Sequence, residues 1–274
     1  MADAAVPEIG EVLPQLAVLL LALVSFVWAI VGVRRRLATG QPLVPVRPHG
    51  PVIWDGGDVA LVVVGYLLVA TLIAKVVSVD APLADRLLAN VGLSLGVAGG
   101  TIAWLLFRGA TWEELGFVGG RWREDVRTAV GGMALVVFPL LMIAAALNAL
   151  VRYRHPIVDF LDGQRDWKDV TLVIVSAVVV APLAEELFFR RVLQGWLEKH
   201  LSADDMAPVL LSSLAFAAAH AGQGLAYVPL FHFSLVLGFI ARRTGSIVPC
   251  ILLHALFNAV SVVLLLLQPA TPQV

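Results

Sequence analysis

Residues 170–191 read VTLVIVSAVVVAPLAEELFFRR. Its first part, residues 170–184, carries no charge, and two adjacent glutamates and two arginines then follow within the same apolar run. A helix that crosses a bilayer needs about 20 predominantly apolar residues. The stretch therefore predicts a transmembrane helix that holds carboxylates at membrane depth.

The rest of the chain has the same apolar character. Of its 274 residues, 59% are hydrophobic and only 14% are charged, with a mean hydropathy of +0.90. A soluble domain carries about 25% charged residues. We therefore expect an all-α fold, a polytopic transmembrane helix bundle of about eight spans with a catalytic core formed by the later helices. The single cysteine, Cys250, excludes an internal disulfide and a cysteine-based metal cluster, and we interpret it as a small buried residue.

Runs with little or no charge predict where the spans lie. They cover residues 12–33, 58–78, 87–107, 128–150, 169–192, 205–221, 225–241 and 246–268. The uncharged stretch 206–241 is too long for one crossing, and AGQG at 221–224 supplies the turn that divides it. If the N-terminus lies outside, the cytoplasmic loops hold thirteen Lys and Arg residues and the outer loops five. The positive-inside rule favours this orientation.

Composition also predicts the organisation of the chain. Segment 1–57 contains an N-terminal transmembrane helix and a Pro/Gly-rich connector, segment 58–164 contains helices two to four, and segment 165–268 forms the catalytic core. The first helix is expected to be retained, because acidic residues precede its apolar run and Arg34–Arg36 follow it, the reverse of a signal peptide. Glycines at 92, 96 and 100 predict close packing of the third helix against a neighbour.

The two adjacent glutamates differ in whether the local sequence supplies an ion-pair partner. A carboxylate at the bilayer centre costs about 2.5–3.5 kcal/mol on insertion scales. Glu186 stands four residues before Arg190, the favourable order for an ion pair, which accounts for it structurally. Glu185 points about 100° away on the helix and has no local partner. We therefore expect a polar group on another helix to contact Glu185.

Other polar residues interrupt the later apolar spans at similar depth. FAAAH, residues 216–220, ends the sixth span with His220, and HALFN, residues 254–258, places His254 and Asn258 on one face of the eighth. These groups and Glu185 lie roughly 10–20 Å from the cytoplasmic helix ends, counting 1.5 Å per residue. Pro182 is expected to bend the fifth helix one turn before Glu185. His232 also lies inside a span, but a bond to a backbone carbonyl is the simpler interpretation.

These motifs resemble those of a known family. EELFFR matches the EExxxR motif, FAAAH the FxxxH motif and HALFN the HxxxN motif of the CPBP (Abi) family, which holds the type II CAAX prenyl endopeptidases and their bacterial relatives. The resemblance covers about residues 165–265, and LGFIARRTGSIVPCILLHALFN is similar to the bacterial branch. It implies a glutamate-dependent intramembrane peptidase with Glu186, Arg190 and Phe216 in supporting positions.

The residue chemistry agrees with amide hydrolysis. Desolvation makes a carboxylate a better base, so Glu185 suits activation of water, with His220 helping to hold it. His254 and Asn258 are candidate oxyanion donors. Glu185, His220 and His254 are also acceptable zinc ligands, but no HExxH motif is present, so we favour no metal or cofactor and keep zinc as the alternative.

Two non-catalytic functions compete with the peptidase. A membrane scaffold or immunity-type protein would be expected to lose Glu185 or a histidine, and a proton-coupled transporter would be expected to show inverted repeats. The expected partners are the lipid bilayer and a membrane-associated peptide or protein substrate, with no nucleic acid. The expected location is an integral, multi-pass position in a membrane, and the resemblance implies the bacterial plasma membrane.

Overall fold

A computed structural model describes residues 9–78, 80–150, 167–201 and 205–267. The described residues form eight helices: α1 Ile9–Thr39, α2 Gly56–Val76, α3 Leu83–Phe107, α4 Trp122–Leu150, α5 Trp167–His200, α6 Ala207–Ala219, α7 Tyr227–Thr244 and α8 Val248–Leu266. No strand occurs among these residues. The predicted all-α bundle is confirmed.

Seven of the eight helices are long and apolar enough to cross a membrane, and α6 is the exception. Its 13 residues rise about 20 Å, less than the roughly 30 Å of a hydrocarbon core. The helix ends because His220 leaves helical geometry, and a 3₁₀ turn, Ala221–Ala226, with Gly224 at φ 63°, leads into α7. The turn predicted at 221–224 is confirmed, and the predicted sixth span is a short helix that ends at His220.

Helix α5 is continuous over 34 residues but contains two π-helical segments. Val175–Val180 and Leu187–Leu193 are π-helical, and the α-helical segment Ala181–Glu186 lies between them. Pro182 stands at the start of that segment, where its missing N–H and its ring disrupt the α-helical ladder. Where a bend is predicted at Pro182, the structure has π-helical segments on both sides of this α-helical turn, a feature common at functional sites.

A buried apolar cluster joins the later helices to α4. Phe189, Phe216, Phe233, Leu237 and Leu253 belong to it and lie at most 9% exposed. Because these side chains come from α5, α6, α7 and α8, their packing fixes the relative positions of the helices that carry the polar motifs.

Helices α1 and α3 pack differently from α5–α8. α1 is largely exposed on its apolar face and contacts α4, where the Ser25 hydroxyl donates to the carbonyl of Ala134 at 3.0 Å.

The predicted packing role of Gly92, Gly96 and Gly100 on α3 is wrong for the described residues, because a Cβ at each would meet no atom within 4 Å. Small residues permit a close approach, but a neighbour must also supply complementary shape.

The connector before α2 is anchored on α5. Trp54 is fully buried, and its indole N–H donates to the carbonyl of Val192 at 3.0 Å. Lys199 donates to the carbonyl of Trp54 at 2.9 Å. The division into segments 1–57, 58–164 and 165–268 stays a prediction, and its boundary at 164 lies outside the described residues.

Candidate active site

Glu186 is the centre of a buried polar network. Its side chain is 0% exposed, and Oε2 accepts from Nε of Arg190 at 2.9 Å, so the predicted ion pair is confirmed. The guanidinium also donates to the hydroxyls of Ser212 at 3.4 Å and Ser234 at 3.0 Å. Three helices are therefore joined through one cation. Paired and hydrogen-bonded in this way, both charges are compensated in an apolar interior.

Glu185 points in another direction, as the helical geometry predicts. Its side chain is 27% exposed, and Oε2 has no hydrogen-bond partner within the described part of the chain. This oxygen lies 3.9 Å from Nε2 of His220 and 4.0 Å from Nε2 of His254. The structure thus brings together a carboxylate and two imidazoles from α5, α6 and α8.

The other ring nitrogens of these histidines are already engaged. Nδ1 of His220 is 2.8 Å from the carbonyl of Phe216, and Nδ1 of His254 is 2.9 Å from Oε1 of Glu186. Both partners are acceptors, so each Nδ1 carries the proton and donates. Each Nε2 then faces Glu185 with an available lone pair in the neutral ring. Atoms about 4 Å apart are too distant for a direct hydrogen bond, but one water can join them.

Aromatic rings hold the two imidazoles in place. Phe216 is fully buried, with its ring centroid 4.6 Å from that of His220 and 5.1 Å from the guanidinium carbon of Arg190. Phe233 meets His254 edge-on at 5.0 Å. Rigid neighbours of this kind keep a polar constellation in one geometry.

Asn258 and His232 each bind a backbone carbonyl. The amide nitrogen of Asn258 donates to the carbonyl of Ala177 at 2.7 Å. Nε2 of His232 bonds the carbonyl of Leu135 at 3.1 Å, which confirms its structural interpretation. Asn258 shares a face of α8 with His254, and one of its two amide N–H groups donates to α5.

The three donor atoms around Glu185 match a zinc site in chemistry but not in spacing. Two imidazole nitrogens and a carboxylate oxygen are suitable in chemistry. Ligand atoms around a tetrahedral zinc lie about 3.4 Å apart, closer than the 3.9 and 4.0 Å from Oε2 to the two Nε2 atoms. Within the described residues, no group of three or more His, Cys, Asp or Glu is arranged to hold a metal ion.

A cavity of about 740 Å³ leads to Glu185 and His220. It lies between α2, α3, α5 and α6, and most of its lining is apolar, including Val62, Leu67 and Phe188. Its volume is typical of ligand pockets. Because α6 is short, the cavity meets His220 where that helix ends.

Sequence reasoning missed two sets of residues. Ser212 and Ser234, which bind Arg190, carry no motif, although a serine in an apolar helix is itself a signal for a buried polar partner. Asn90, Ser94 and Thr101 line the cavity. Their i, i+4, i+11 spacing, which places them on one face of α3, was the available signal.

Comparison with known proteins agrees with these motifs. Residues 167–260 match the family model described as type II CAAX prenyl endopeptidase Rce1-like. An uncharacterized 24.3 kDa protein of Escherichia coli is 28% identical over 127 residues, which cover 46% of this chain and 57% of that protein. No solved structure matches the chain. Residues 167–260, which include Glu185, His220 and His254, are thus similar to the type II CAAX prenyl endopeptidase Rce1-like family, within an integral multi-pass membrane protein.

Proposed function

We propose that this chain is an intramembrane endopeptidase that hydrolyses a peptide bond of a membrane-associated peptide or protein. One observation carries the proposal: Glu185 Oε2 has no hydrogen-bond partner within the described residues and lies about 4 Å from Nε2 of both His220 and His254, and Glu185 and His220 line the cavity. A partly buried carboxylate beside two imidazoles supplies the base and the donors that amide hydrolysis needs.

In the proposed mechanism, a water bridges Glu185 and His220. Glu185 takes a proton from this water as its oxygen attacks the scissile carbonyl, and the same carboxyl group then donates that proton to the leaving amine. The tetrahedral intermediate carries a negative oxygen. His254 in its protonated form, hydrogen-bonded to the Glu186 carboxylate, donates from Nε2 to that oxygen.

His254 is the oxyanion donor that the proposed mechanism uses. The sequence also assigned Asn258 to the oxyanion, and one of its two amide N–H groups donates to the carbonyl of Ala177. Glu186 and Arg190 support the site because they hold His254 and join the three helices around it.

The proposed mechanism uses no metal, since the spacing of the three donor atoms suits a bridging water better than a tetrahedral zinc. If zinc binds, Glu185, His220 and His254 would hold it, and the ion would polarise water and the scissile carbonyl.

Chelation tests the metal-free mechanism. Purified protein in liposomes is incubated with a quenched fluorescent peptide library, with and without a strong chelator. We expect cleavage to persist at an unchanged rate, because Glu185 and the histidines act directly on water. Loss of cleavage that added zinc restores would contradict this mechanism and assign the same residues as ligands. If neither the library nor native membranes yield a product, the scaffold function replaces the peptidase.

Blocking the cavity tests the substrate path. Ala218 on α6 lines the cavity and is exposed to it. Ala218→Trp fills part of this space, so we expect kcat/KM to fall by about tenfold or more while the Tm stays near that of the wild type. Leu210→Trp, on the same helix but outside the cavity lining, is the matched control and is expected to cleave normally. Equal rates for both variants would show that substrate enters elsewhere.

A further inference from the structure

Pro182 leaves one carbonyl of α5 without a backbone donor. In the π register of Val175–Val180, each carbonyl accepts from the N–H five residues later. For Ala177 that residue is Pro182, which has no N–H. In an α register the donor would be Ala181, but its N–H donates to the carbonyl of Ser176.

Asn258 supplies the missing donor. Its amide nitrogen lies 2.7 Å from the carbonyl oxygen of Ala177, on the face where α8 packs against α5. At membrane depth an unsatisfied carbonyl is costly, because no lipid group replaces the lost hydrogen bond. The bond between Asn258 and Ala177 therefore joins α8 to α5 at the irregular turn.

A second proline also leaves a carbonyl that a side chain from another helix bonds. Pro139 lies inside α4, so the carbonyl of Leu135, four residues earlier, loses its α-helical donor. Nε2 of His232 on α7 lies 3.1 Å from this carbonyl. At both prolines a polar side chain from a neighbouring helix thus reaches the carbonyl that lacks a backbone donor.

We propose that Asn258 is a positioning residue, which holds α5 and α8 in register through the Ala177 carbonyl so that Glu185 faces His254. His254 precedes Asn258 by one helical turn on α8, and Glu185 follows Ala177 by about 12 Å along α5. The bond between Asn258 and Ala177 therefore constrains the distance between Glu185 and His254. The inference deepens the proposed peptidase function and rests on it for its kinetic consequence, but the bond itself is independent of any activity.

A double-mutant cycle separates positioning from direct catalysis. In Pro182→Ala the backbone regains an N–H that can satisfy α5 internally, so Asn258 becomes dispensable. We expect Asn258→Leu to lower kcat about 10- to 100-fold in the native background. In the Pro182→Ala background the same change is expected to cost less than about threefold. An oxyanion donor would instead cost about 100- to 1000-fold in both backgrounds. Equal losses in the two backgrounds would overturn the proposal.

Thermal melting of the same four proteins gives a second, activity-independent test. Asn258→Leu is expected to lower the Tm of the native chain, and Pro182→Ala to remove most of that loss. Ser261→Leu, an exposed position on α8, is the matched control and is expected to change neither Tm nor kcat.

The thermal test also covers two experimental failures. If Pro182→Ala does not fold, Asn258→Leu alone decides, because a loss of kcat without a loss of Tm overturns the positioning role. If the wild type cleaves no substrate, the peptidase proposal fails, while the Tm cycle still confirms or overturns the bond between the two helices.

Discussion

Glu185→Gln is expected to reduce cleavage between about 100-fold and 10,000-fold, the range that a general base contributes. Glutamine keeps the size and the hydrogen-bonding reach of the side chain but cannot accept a proton from water. Glu185 Oε2 lies close to 4 Å from two histidine nitrogens and makes no hydrogen bond among the described residues, so it is available to accept a proton from water. The loss is expected in kcat rather than in KM, measured with the peptide substrate identified from the library.

The control for this prediction is an exposed glutamate. Glu113 lies in the loop between α3 and α4, away from the cavity, and Glu113→Gln is expected to cleave at the wild-type rate. Glu185→Gln is also expected to melt at or above the wild-type Tm, because it removes a partly buried carboxylate that has no ion-pair partner at hydrogen-bond distance. A folded Glu185→Gln protein that retains more than about a third of the activity would assign the base elsewhere.

Arg190→Met is expected to cause the largest loss of stability. It removes the permanent cation from Glu186, whose side chain is fully buried, and leaves the His254 imidazole as the remaining partner of this carboxylate. Breaking a buried ion pair from one side typically costs about 3–5 kcal/mol. The hydroxyls of Ser212 and Ser234 lose a donor as well. We expect a strongly lowered Tm in detergent and little protein in the membrane fraction.

Two comparison variants give this prediction its meaning. Arg36→Met removes an exposed arginine at the end of α1 and is expected to leave the Tm unchanged. Adding Glu186→Gln to Arg190→Met removes the uncompensated charge, so the double variant is expected to recover part of the lost stability. If Arg190→Met has the same Tm as Arg36→Met, the contacts of Arg190 with Glu186, Ser212 and Ser234 do not stabilise the packing of the three helices.

Local sequence was sufficient to predict the separation of the two glutamates. Neighbouring residues on a helix point about 100° apart, so Glu186 could pair with Arg190 one turn later while Glu185 could not. The structure has both features. His220 and His254 were predictable as neighbours of Glu185. Ionisable groups at membrane depth need polar partners, and only a few of the predicted spans contain polar residues.

Packing partners were not predictable in the same way. Gly92, Gly96 and Gly100 have the spacing of a helix contact, yet no described atom lies near their faces. Conversely, Ser212 and Ser234 bind Arg190 without belonging to any motif. Spacing describes one helix surface, whereas a contact also needs the complementary surface of another helix.

Hydropathy and helical periodicity are properties of the chain alone, so they predict a multi-pass helical bundle in which Glu185, His220 and His254 lie close together. They do not predict that α6 ends at His220, that Glu185 lines a cavity of about 740 Å³, or that Asn258 bonds Ala177. These features depend on how helices far apart in sequence meet. A carbonyl that lacks its backbone donor can take its partner from any helix packed beside it, and local pattern cannot say which.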